Sequence, residues 1–187
     1  MKRVFVIILA IAAAAMGCHA QEVVEINSTR QAVKRTGDAL LVAMPLATLT
    51  AVIVERDWQG LKQAAFSTAT TLGASYLLKY TVHKMRPDRS DNHAFPSAHT
   101  AVMFANAAFV QRRYGWKFGV PAYVLATYVG WSRTYAKKHD WWDVVTGAAI
   151  GAGSSYIFTR PFAKKHNLAM APVSDGEHFG ITASFNF

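Results

Sequence analysis

The sequence has a single cysteine, Cys18, among its 187 residues. No disulfide can form within one chain, so packing and polar contacts must hold the fold. Charged residues are also scarce, since they make up 17% of the chain against roughly one quarter in an average soluble protein. Hydrophobic residues make up 52%. A chain with this balance can bury a large core or lie in lipid.

Acidic residues are the scarcer of the two charged classes, with 11 Asp and Glu against 20 Lys and Arg. This excess of positive charge predicts an anionic partner, such as a phosphate group or an anionic lipid. The basic residues occur singly between apolar runs and form no continuous stripe or recognised nucleic-acid-binding motif. The sequence therefore predicts a phosphorylated ligand and a membrane as partners, and no nucleic acid.

Residues 1–20 have the pattern of an export signal. A basic start, Lys2 and Arg3, precedes an apolar run from Val4 to Met16 that is followed by small residues. Three fates are open for this segment: cleavage, retention as a membrane anchor, or lipidation at Cys18, whose surroundings form a weak lipoprotein box.

Residues 21–166 predict one helical domain. Runs without Asp, Glu, Lys or Arg recur, and their length and their Ala, Leu and Gly content favour helices over strands. The runs are Ala39–Val54, Gln63–Leu78, Ala94–Gln111, Phe118–Ser132 and Val144–Thr159. Short connections between them predict an all-α fold, an antiparallel bundle of about five helices, or six with the N-terminal apolar segment.

Membrane embedding of this bundle is the favoured prediction. A run of sixteen residues reaches about 24 Å, somewhat short of a hydrocarbon core of about 30 Å, so length alone leaves spanning open. Gly147 and Gly151 lie on a small-residue face that allows another helix to approach closely. If Lys2 and Arg3 stay inside, the positive-inside rule places the predicted site on the periplasmic side. A wholly periplasmic bundle is the alternative.

Residues 167–187 change character. Asp175-Gly176 is a turn signal, and apolar residues alternate after it, at Ile181, Ala183, Phe185 and Phe187. The pattern predicts a short C-terminal β-hairpin.

Polar residues collect at the predicted helix ends. In an antiparallel bundle, one end receives Lys79, Ser97, His99, Arg133, His139 and Asp143, and the other receives Arg56, Lys62, Arg112, Arg113, Lys117, Arg160, Lys164 and Lys165. The first set contains two histidines as well as cations, so the sequence predicts that this end carries the chemistry.

Each member of the first set has a chemical and a purely structural interpretation. His139 and Asp143 are four residues apart, so on a helix the carboxylate can accept from Nδ1 and leave Nε2 as nucleophile or base. The same pair can be an ordinary ion pair at a helix start. Pro96-Ser97 is an ordinary helix-start signal, and the free N–H groups that it creates can also bind an anion. The convergence of these residues favours the chemical interpretation.

Three spaced blocks resemble the signature of the type 2 phosphatidic acid phosphatase superfamily, which includes bacterial acid phosphatases and vanadium haloperoxidases. The first block is Lys79, six residues, and Arg86-Pro87; the second is Pro96-Ser97-Ala98-His99; the third is Ser132-Arg133, five residues, His139, three residues, and Asp143. The resemblance covers about residues 38 to 160. One position departs, because the family usually has Gly where this chain has Ala98.

The resemblance implies a role for each of these residues. His139 would attack phosphorus and carry a phosphohistidine, Asp143 would orient it, and His99 would protonate the leaving alkoxide. The equatorial phosphoryl oxygens would be held by Lys79, Arg86, Ser97, the Ala98 N–H and Arg133. The implied enzyme is a phosphatase that uses no metal and no cofactor, with a lipid phosphate or a small phosphoester as substrate.

Four alternatives follow from the same residues. His99, His139, Asp140 and Asp143 are possible zinc ligands, although three neighbouring cations would repel a dication. The pocket would also suit a vanadate-dependent haloperoxidase or a soluble periplasmic acid phosphatase. A binding module without catalysis is disfavoured because every catalytic side chain is present.

Overall fold

The computed structural model describes residues 26–162, 167–174 and 179–186. Within these ranges there are five helices and two strands: α1 (Ile26–Val54), α2 (Trp58–Thr81), α3 (Ala98–Tyr114), α4 (Trp116–Tyr135), α5 (Trp141–Phe158), β1 (Asn167–Ser174) and β2 (Phe179–Asn186). The predicted helical bundle is present. The predicted signal or anchor at residues 1–20 lies outside the described residues.

The helix boundaries differ from the uncharged runs in two ways. Helix α1 begins at Ile26, whereas the sequence predicted a start at Ala39, because charged side chains that reach solvent or each other are compatible with a helix. Helix α3 begins later than its run, because the residue before Pro96 is disfavoured in a helix and Ser97 then caps the first turn.

Helix α3 is the centre of the bundle and contacts all four other helices. Its small and apolar side chains are buried, and α1 and α4 complete the core. The core residues are Leu40, Met44, Val52, Met103, Ala107, Phe109, Val110, Ala122, Ala126 and Val129. Burial of these side chains supplies most of the driving force for folding.

The closest helix contact joins α3 and α5 through Gly147 and Gly151. A Cβ on Gly147 would lie 2.5 Å from the Ser97 carbonyl oxygen, and one on Gly151 would collide with the Ala101 carbonyl oxygen. The predicted small-residue face is confirmed, and it holds the start of α3 against α5.

The end of the bundle far from the predicted site is closed by a buried ion pair. Arg113 Nε and Nη2 donate to the Asp57 carboxylate at 2.7 and 2.5 Å. Asp57 also accepts from the Gly60 N–H at 2.8 Å and from the Tyr114 hydroxyl at 3.0 Å. Both side chains of the pair are at most 3% exposed. The pair is therefore saturated by protein groups.

The C-terminal strands β1 and β2 pair antiparallel, from Asn167 opposite Asn186 to Ser174 opposite Phe179. Residues 175–178, where the sequence predicts the turn, lie outside the described residues.

Among the described helices, one is long and apolar enough to cross a membrane. It runs from Ser28 to Val54, close to the N-terminus, and 39% of its most apolar window is buried in the protein. Length and composition identify this candidate, and core helices of soluble proteins can share both properties.

Candidate active site

A cavity of about 620 Å³ opens at the end of the bundle to which the sequence assigned the chemistry. Basic side chains and two histidines dominate its lining. The lining residues are Lys34, Asp38, Tyr76, Lys79, Arg86, Ala98, His99, Arg133, Lys138 and His139. The three motif blocks, distant in sequence, therefore meet around one space.

Helix ends bring these side chains together. Lys79 lies in the last turn of α2 and Arg133 in the last turn of α4. His99 lies in the first turn of α3, and His139 immediately precedes the cap of α5. Because neighbouring helices run antiparallel, these ends meet on one side of the bundle.

His139 itself lies in the loop before α5, which corrects the prediction that it begins this helix. Asp140 is the N-cap and forms a capping box with Asp143. His139 Nδ1 lies 3.5 Å from Asp143 Oδ2. That distance suits an ion pair, but no described residue completes a hydrogen bond to Nδ1. Asp143 thus faces the ring at ion-pair range.

Asp143 is fully buried and held from three sides. Its Oδ1 accepts from Lys84 Nζ at 2.7 Å, and its Oδ2 accepts from the Asp140 N–H at 3.1 Å. Its backbone carbonyl accepts from the Ser97 N–H at 3.0 Å, which ties the second motif block to the third. The carboxylate that faces His139 is therefore fixed in position.

Lys84 is a member of this cluster that the sequence analysis missed. It donates to Asp140 Oδ2 at 2.5 Å as well as to Asp143. Burial opposes its charge, but these two carboxylates outweigh burial and raise the pKa of Lys84. Lys84 lies between the motif residues Lys79 and Arg86 but belongs to no motif, so its position in the sequence did not indicate a role.

The electrostatic surroundings keep His139 neutral. Its side chain is 4% exposed. Burial first, and then the positive charges of Arg86 and Lys79, lower the pKa of His139 to about 4, although Asp143 acts in the opposite direction. A histidine with this pKa is unprotonated at neutral pH and has a lone pair available for nucleophilic attack.

The second histidine contacts a residue that the sequence analysis did not single out. His99 Nε2 lies 3.1 Å from Asp38 Oδ1, and the same oxygen accepts from Arg133 Nη1 at 2.7 Å. Lys34 pairs with the other oxygen of Asp38 at 3.2 Å. Asp38 was missed because it stands alone on α1, ahead of the uncharged run.

Two further cations hold the loop between α2 and α3 through hydrogen bonds. Lys79 Nζ donates to the carbonyl oxygens of His93 at 2.7 Å and Pro96 at 3.1 Å. Arg86 Nε donates to Asp91 Oδ1 at 2.8 Å. Each side chain thus has a structural partner and also borders the cavity.

Ser97 and Ala98 occupy different positions relative to the cavity. The Ser97 hydroxyl is fully buried and accepts from the Thr100 hydroxyl at 3.0 Å, so it caps α3 and is absent from the cavity lining. Ala98 borders the cavity as the first residue of α3. N–H groups of a first turn lack partners within their helix and can bind an anion.

The described residues contain no group of three or more His, Cys, Asp or Glu side chains placed to hold one metal ion. Asp140 and Asp143, two of the possible zinc ligands, instead share Lys84.

The family resemblance is confirmed by comparison with known proteins. Residues 60–166 match the family model of the PAP2 superfamily. The chain is also 30% identical over 177 residues to the lipid A 4'-phosphatase of Helicobacter pylori, a match that covers 87% of this chain and 89% of that protein. The chain belongs to the PAP2 superfamily, the type 2 phosphatidic acid phosphatases.

Other relatives match over different extents. The lipid A 1-phosphatase of Porphyromonas gingivalis is 37% identical over 76 residues, which are 39% of this chain and 17% of that protein. LpxE of Aquifex aeolicus has a similar fold, with a TM-score of 0.59 and 18% identity over 80% of this chain and 92% of its own. A transmembrane PAP2-type phosphatidylglycerolphosphate phosphatase from Bacillus subtilis also has a similar fold. Its TM-score is 0.56, with 21% identity over 84% of this chain and 85% of its own.

Proposed function

We propose that this protein is a metal-independent phosphatase that hydrolyses a lipid phosphomonoester or diphosphate through a phosphohistidine intermediate. The observation that carries the proposal is the cavity in which His139 and His99 meet Lys79, Arg86 and Arg133. Two histidines supply a nucleophile and an acid, and the three cations match the charge on a transferring phosphoryl group.

In the proposed first step, His139 attacks phosphorus and the bond to the leaving oxygen breaks. Its pKa of about 4 leaves the ring neutral, and the Asp143 carboxylate at 3.5 Å stabilises the positive charge that develops. His99 donates a proton to the leaving alkoxide. In the second step His99 accepts a proton from water, which attacks the phosphohistidine and releases phosphate.

Arg86, Lys79 and Arg133 would hold the equatorial oxygens, together with the Ala98 N–H at the start of α3. Ser97 was assigned to the same task by the resemblance. Its buried hydroxyl supports a different role, which is to cap α3 and so position Ala98 and His99.

A lipid substrate and the bacterial inner membrane are supported by the relatives and by the surface of α1. Val42, Leu46, Leu49 and Ile53 are 40% to 59% exposed and recur at helical spacing along one face. A stripe of large apolar side chains on the outside of a helix suits contact with acyl chains better than contact with water. The proposed orientation places the cavity towards the periplasm, as the positive-inside rule requires.

The test separates the two histidines with p-nitrophenyl phosphate, whose phenolate leaves without help from an acid. His99→Ala should release up to one equivalent of nitrophenol and then stall, with acid-labile, alkali-stable phosphate on His139. His139→Ala should show neither burst nor label. Label on His99 or Ser97, or label that persists in His139→Ala, would assign the nucleophile to another residue.

A further inference from the structure

Lys84 lies in the loop between α2 and α3 and contacts the carboxylate that faces the proposed nucleophile. Its Nζ donates to Asp143 Oδ1 at 2.7 Å and to Asp140 Oδ2 at 2.5 Å. Lys84 belongs to none of the three motif blocks, and neither proposed step of the reaction uses it. The contact nevertheless joins this lysine directly to the acid of the His139–Asp143 pair.

Asp143 needs a counter-charge inside the protein. Its side chain is fully buried, whereas the side chains of Lys84 and Asp140 are 32% and 41% exposed. A buried carboxylate is costly unless it is both paired and hydrogen-bonded. His139 does not supply the charge before the reaction, because its ring is neutral at neutral pH. Among the described residues, Lys84 is therefore the cation that balances Asp143.

The backbone of Lys84 is itself fixed against the segment that leads into α3. The Ala94 N–H donates to the Lys84 carbonyl oxygen at 2.9 Å, next to a parallel bridge between Lys84 and His93. Lys84 Nζ also lies 5.9 Å from the centre of the Phe95 ring, within the range of a cation–π contact. These contacts hold the ammonium group beside the first turn of α5.

The Asp143 carboxylate is held through both of its oxygens. Lys84 occupies Oδ1, while Oδ2 accepts from the Asp140 N–H at 3.1 Å and faces His139 Nδ1 at 3.5 Å. Without Lys84, Oδ1 would lose a charged donor and the carboxylate would be held through one oxygen only. The orientation of Asp143 towards His139 thus depends on Lys84.

We propose that Lys84 is a positioning residue for the nucleophile, which acts on His139 through Asp143 by fixing that carboxylate and offsetting part of its charge. The inference rests on the proposed function, in which Asp143 stabilises the positive charge that develops on His139. A carboxylate without a counter-ion would also attract a proton to the resting ring. By offsetting part of this charge, Lys84 favours the neutral ring, whose lone pair is available for attack.

The other charges around His139 do not involve Lys84. Burial has the largest influence on the pKa of His139, and the charged groups that act on it most are Arg86, Lys79 and Asp143. Of these three groups, Lys84 contacts Asp143. Lys84 Nζ donates to none of the other titratable residues that line the active-site cavity, so its substitution leaves their contacts in place; these residues are Lys34, Asp38, Tyr76, His99, Arg133 and Lys138.

The test measures the protonation of His139 directly, by NMR on detergent-solubilised protein with 15N-labelled histidines. The ring signals of His139 are assigned from their absence in His139→Ala. Lys84→Gln removes the positive charge, so the pKa of His139 should rise by about one unit. Lys84→Arg keeps the charge and should retain the wild-type pKa. An unchanged or lower pKa in Lys84→Gln, or an equal rise in Lys84→Arg, would overturn the inference.

The matched control is Lys137→Gln. It removes the same charge from an exposed position in the neighbouring loop, and Lys137 is absent from the lining of the active-site cavity. The pKa of His139 should stay at its wild-type value in this variant. A rise equal to that in Lys84→Gln would mean that any lost positive charge has this effect, and the role of Lys84 would fall.

Asp140→Asn is a second variant that tests the inference without altering Lys84. Asparagine can still cap α5, but it removes one of the two carboxylates that share Lys84, so the lysine then offsets more of the charge of Asp143. Asp140 is not among the groups that act most on His139. The pKa of His139 should therefore fall in Asp140→Asn, and a rise would contradict the shared contact.

Kinetics with p-nitrophenyl phosphate give a readout of position. In Lys84→Gln, kcat should fall about ten-fold because Asp143 is no longer fixed, and Lys84→Arg should recover most of this loss. The inhibition constant of inorganic phosphate should change less than about two-fold, because Lys84 is absent from the cavity lining. A merely structural role predicts a lower unfolding temperature with an unchanged pKa of His139.

The NMR measurement separates this inference from the proposed function, because it needs no turnover. A raised pKa of His139 in Lys84→Gln supports the role of Lys84 even if phosphate is never found on His139. Phosphate on His139 together with an unmoved pKa in Lys84→Gln supports the phosphatase mechanism and overturns the role of Lys84.

Discussion

The two ends of the bundle each contain a buried arginine paired with an aspartate, and the pair that borders the active-site cavity is Arg133 with Asp38. Arg113 and Asp57 are 3% and 2% exposed, and their remaining partners are protein groups. Arg133 is equally buried at 3%, but its partner Asp38 is 38% exposed. The difference lies in the acid and not in the arginine.

The two aspartates also differ in how many charged groups each of them contacts. Asp57 serves one cation and two neutral donors. Asp38 serves Arg133, Lys34 and His99, and a ligand in the cavity can compete for each of them. A closed pair stabilises the fold, whereas an open and shared pair can exchange partners during a reaction.

The largest expected effect concerns the closed pair. Asp57→Ala leaves the Arg113 guanidinium buried without its counter-ion, which should lower the free energy of unfolding by about 3–5 kcal/mol. Thermal unfolding in detergent measures this loss. The fraction that remains folded should keep its kcat for p-nitrophenyl phosphate, because Asp57 lies at the other end of the bundle. A large fall in kcat without loss of stability would contradict the assignment.

Asp38→Asn should have the opposite profile. It removes the charge beside His99 and Arg133, so kcat for an alkyl phosphate should fall about 100-fold, which corresponds to about 2.7 kcal/mol. Arg133 is buried, but the Asn oxygen can still accept its hydrogen bond and water reaches the partly exposed Asp38 position, so stability should fall much less than in Asp57→Ala.

The leaving group supplies the control for Asp38→Asn. Release of the first nitrophenol from p-nitrophenyl phosphate needs no acid, so its burst should slow much less than alkyl phosphate hydrolysis. An equal loss for both substrates would show that Asp38 acts through the position of Arg133 or through the fold, and not through His99.

The sequence predicted the bundle well because its signals are local. Uncharged runs mark helices, and Pro96-Ser97 marks the start of α3. Gly147 and Gly151 predicted a close approach by another helix, which the structure shows to be α3. The boundaries of α1 were predicted poorly, because charged residues at a helix start resemble a loop when their tertiary partners are unknown.

The candidate site was predicted through its motifs, and the omissions have one physical cause. Asp38 and Lys84 act through partners 95 and 59 residues away, at Arg133 and Asp143. No local period or spacing reports such contacts. Ser97 shows the converse, because a local cap signal described its observed contacts better than the phosphate-binding role did.

A substitution in the α3–α5 contact should have a smaller effect at the end of the bundle that carries the active-site cavity. In Gly147→Ala the new methyl group meets the Ser97 carbonyl oxygen, so the start of α3 must shift, at a cost of about 1–3 kcal/mol in stability. We expect kcat/KM to fall about ten-fold, because Ala98 and His99 follow directly. Gly153→Ala is the matched control: a Cβ there meets nothing within 4 Å, so stability should hold or rise. Equal changes of stability and kcat/KM in the two variants would show that the close contact at Gly147 does not position the start of α3.

The smallest expected effect is a shift in the pH dependence of kcat/KM, caused by a substitution at the active-site cavity. Burial and the charges of Arg86 and Lys79 lower the pKa of His139 to about 4, so kcat/KM should decline on the acid side only near that pH. Arg86→Gln removes one of the two cations and should raise this pKa, which moves the acid limb to higher pH by about one unit. The measurement is kcat/KM for p-nitrophenyl phosphate across the acid range, where the ionisation of the substrate is common to all variants. Arg89→Gln is the control, because Arg89 is exposed in the same loop and is absent from the lining of the active-site cavity. Its acid limb should coincide with that of the wild type.

Arg86→Gln will also bind substrate more weakly, so the decisive observation is the position of the limb and not its height. A limb that stays in place, or that moves to lower pH, would mean that Arg86 does not control the protonation of His139.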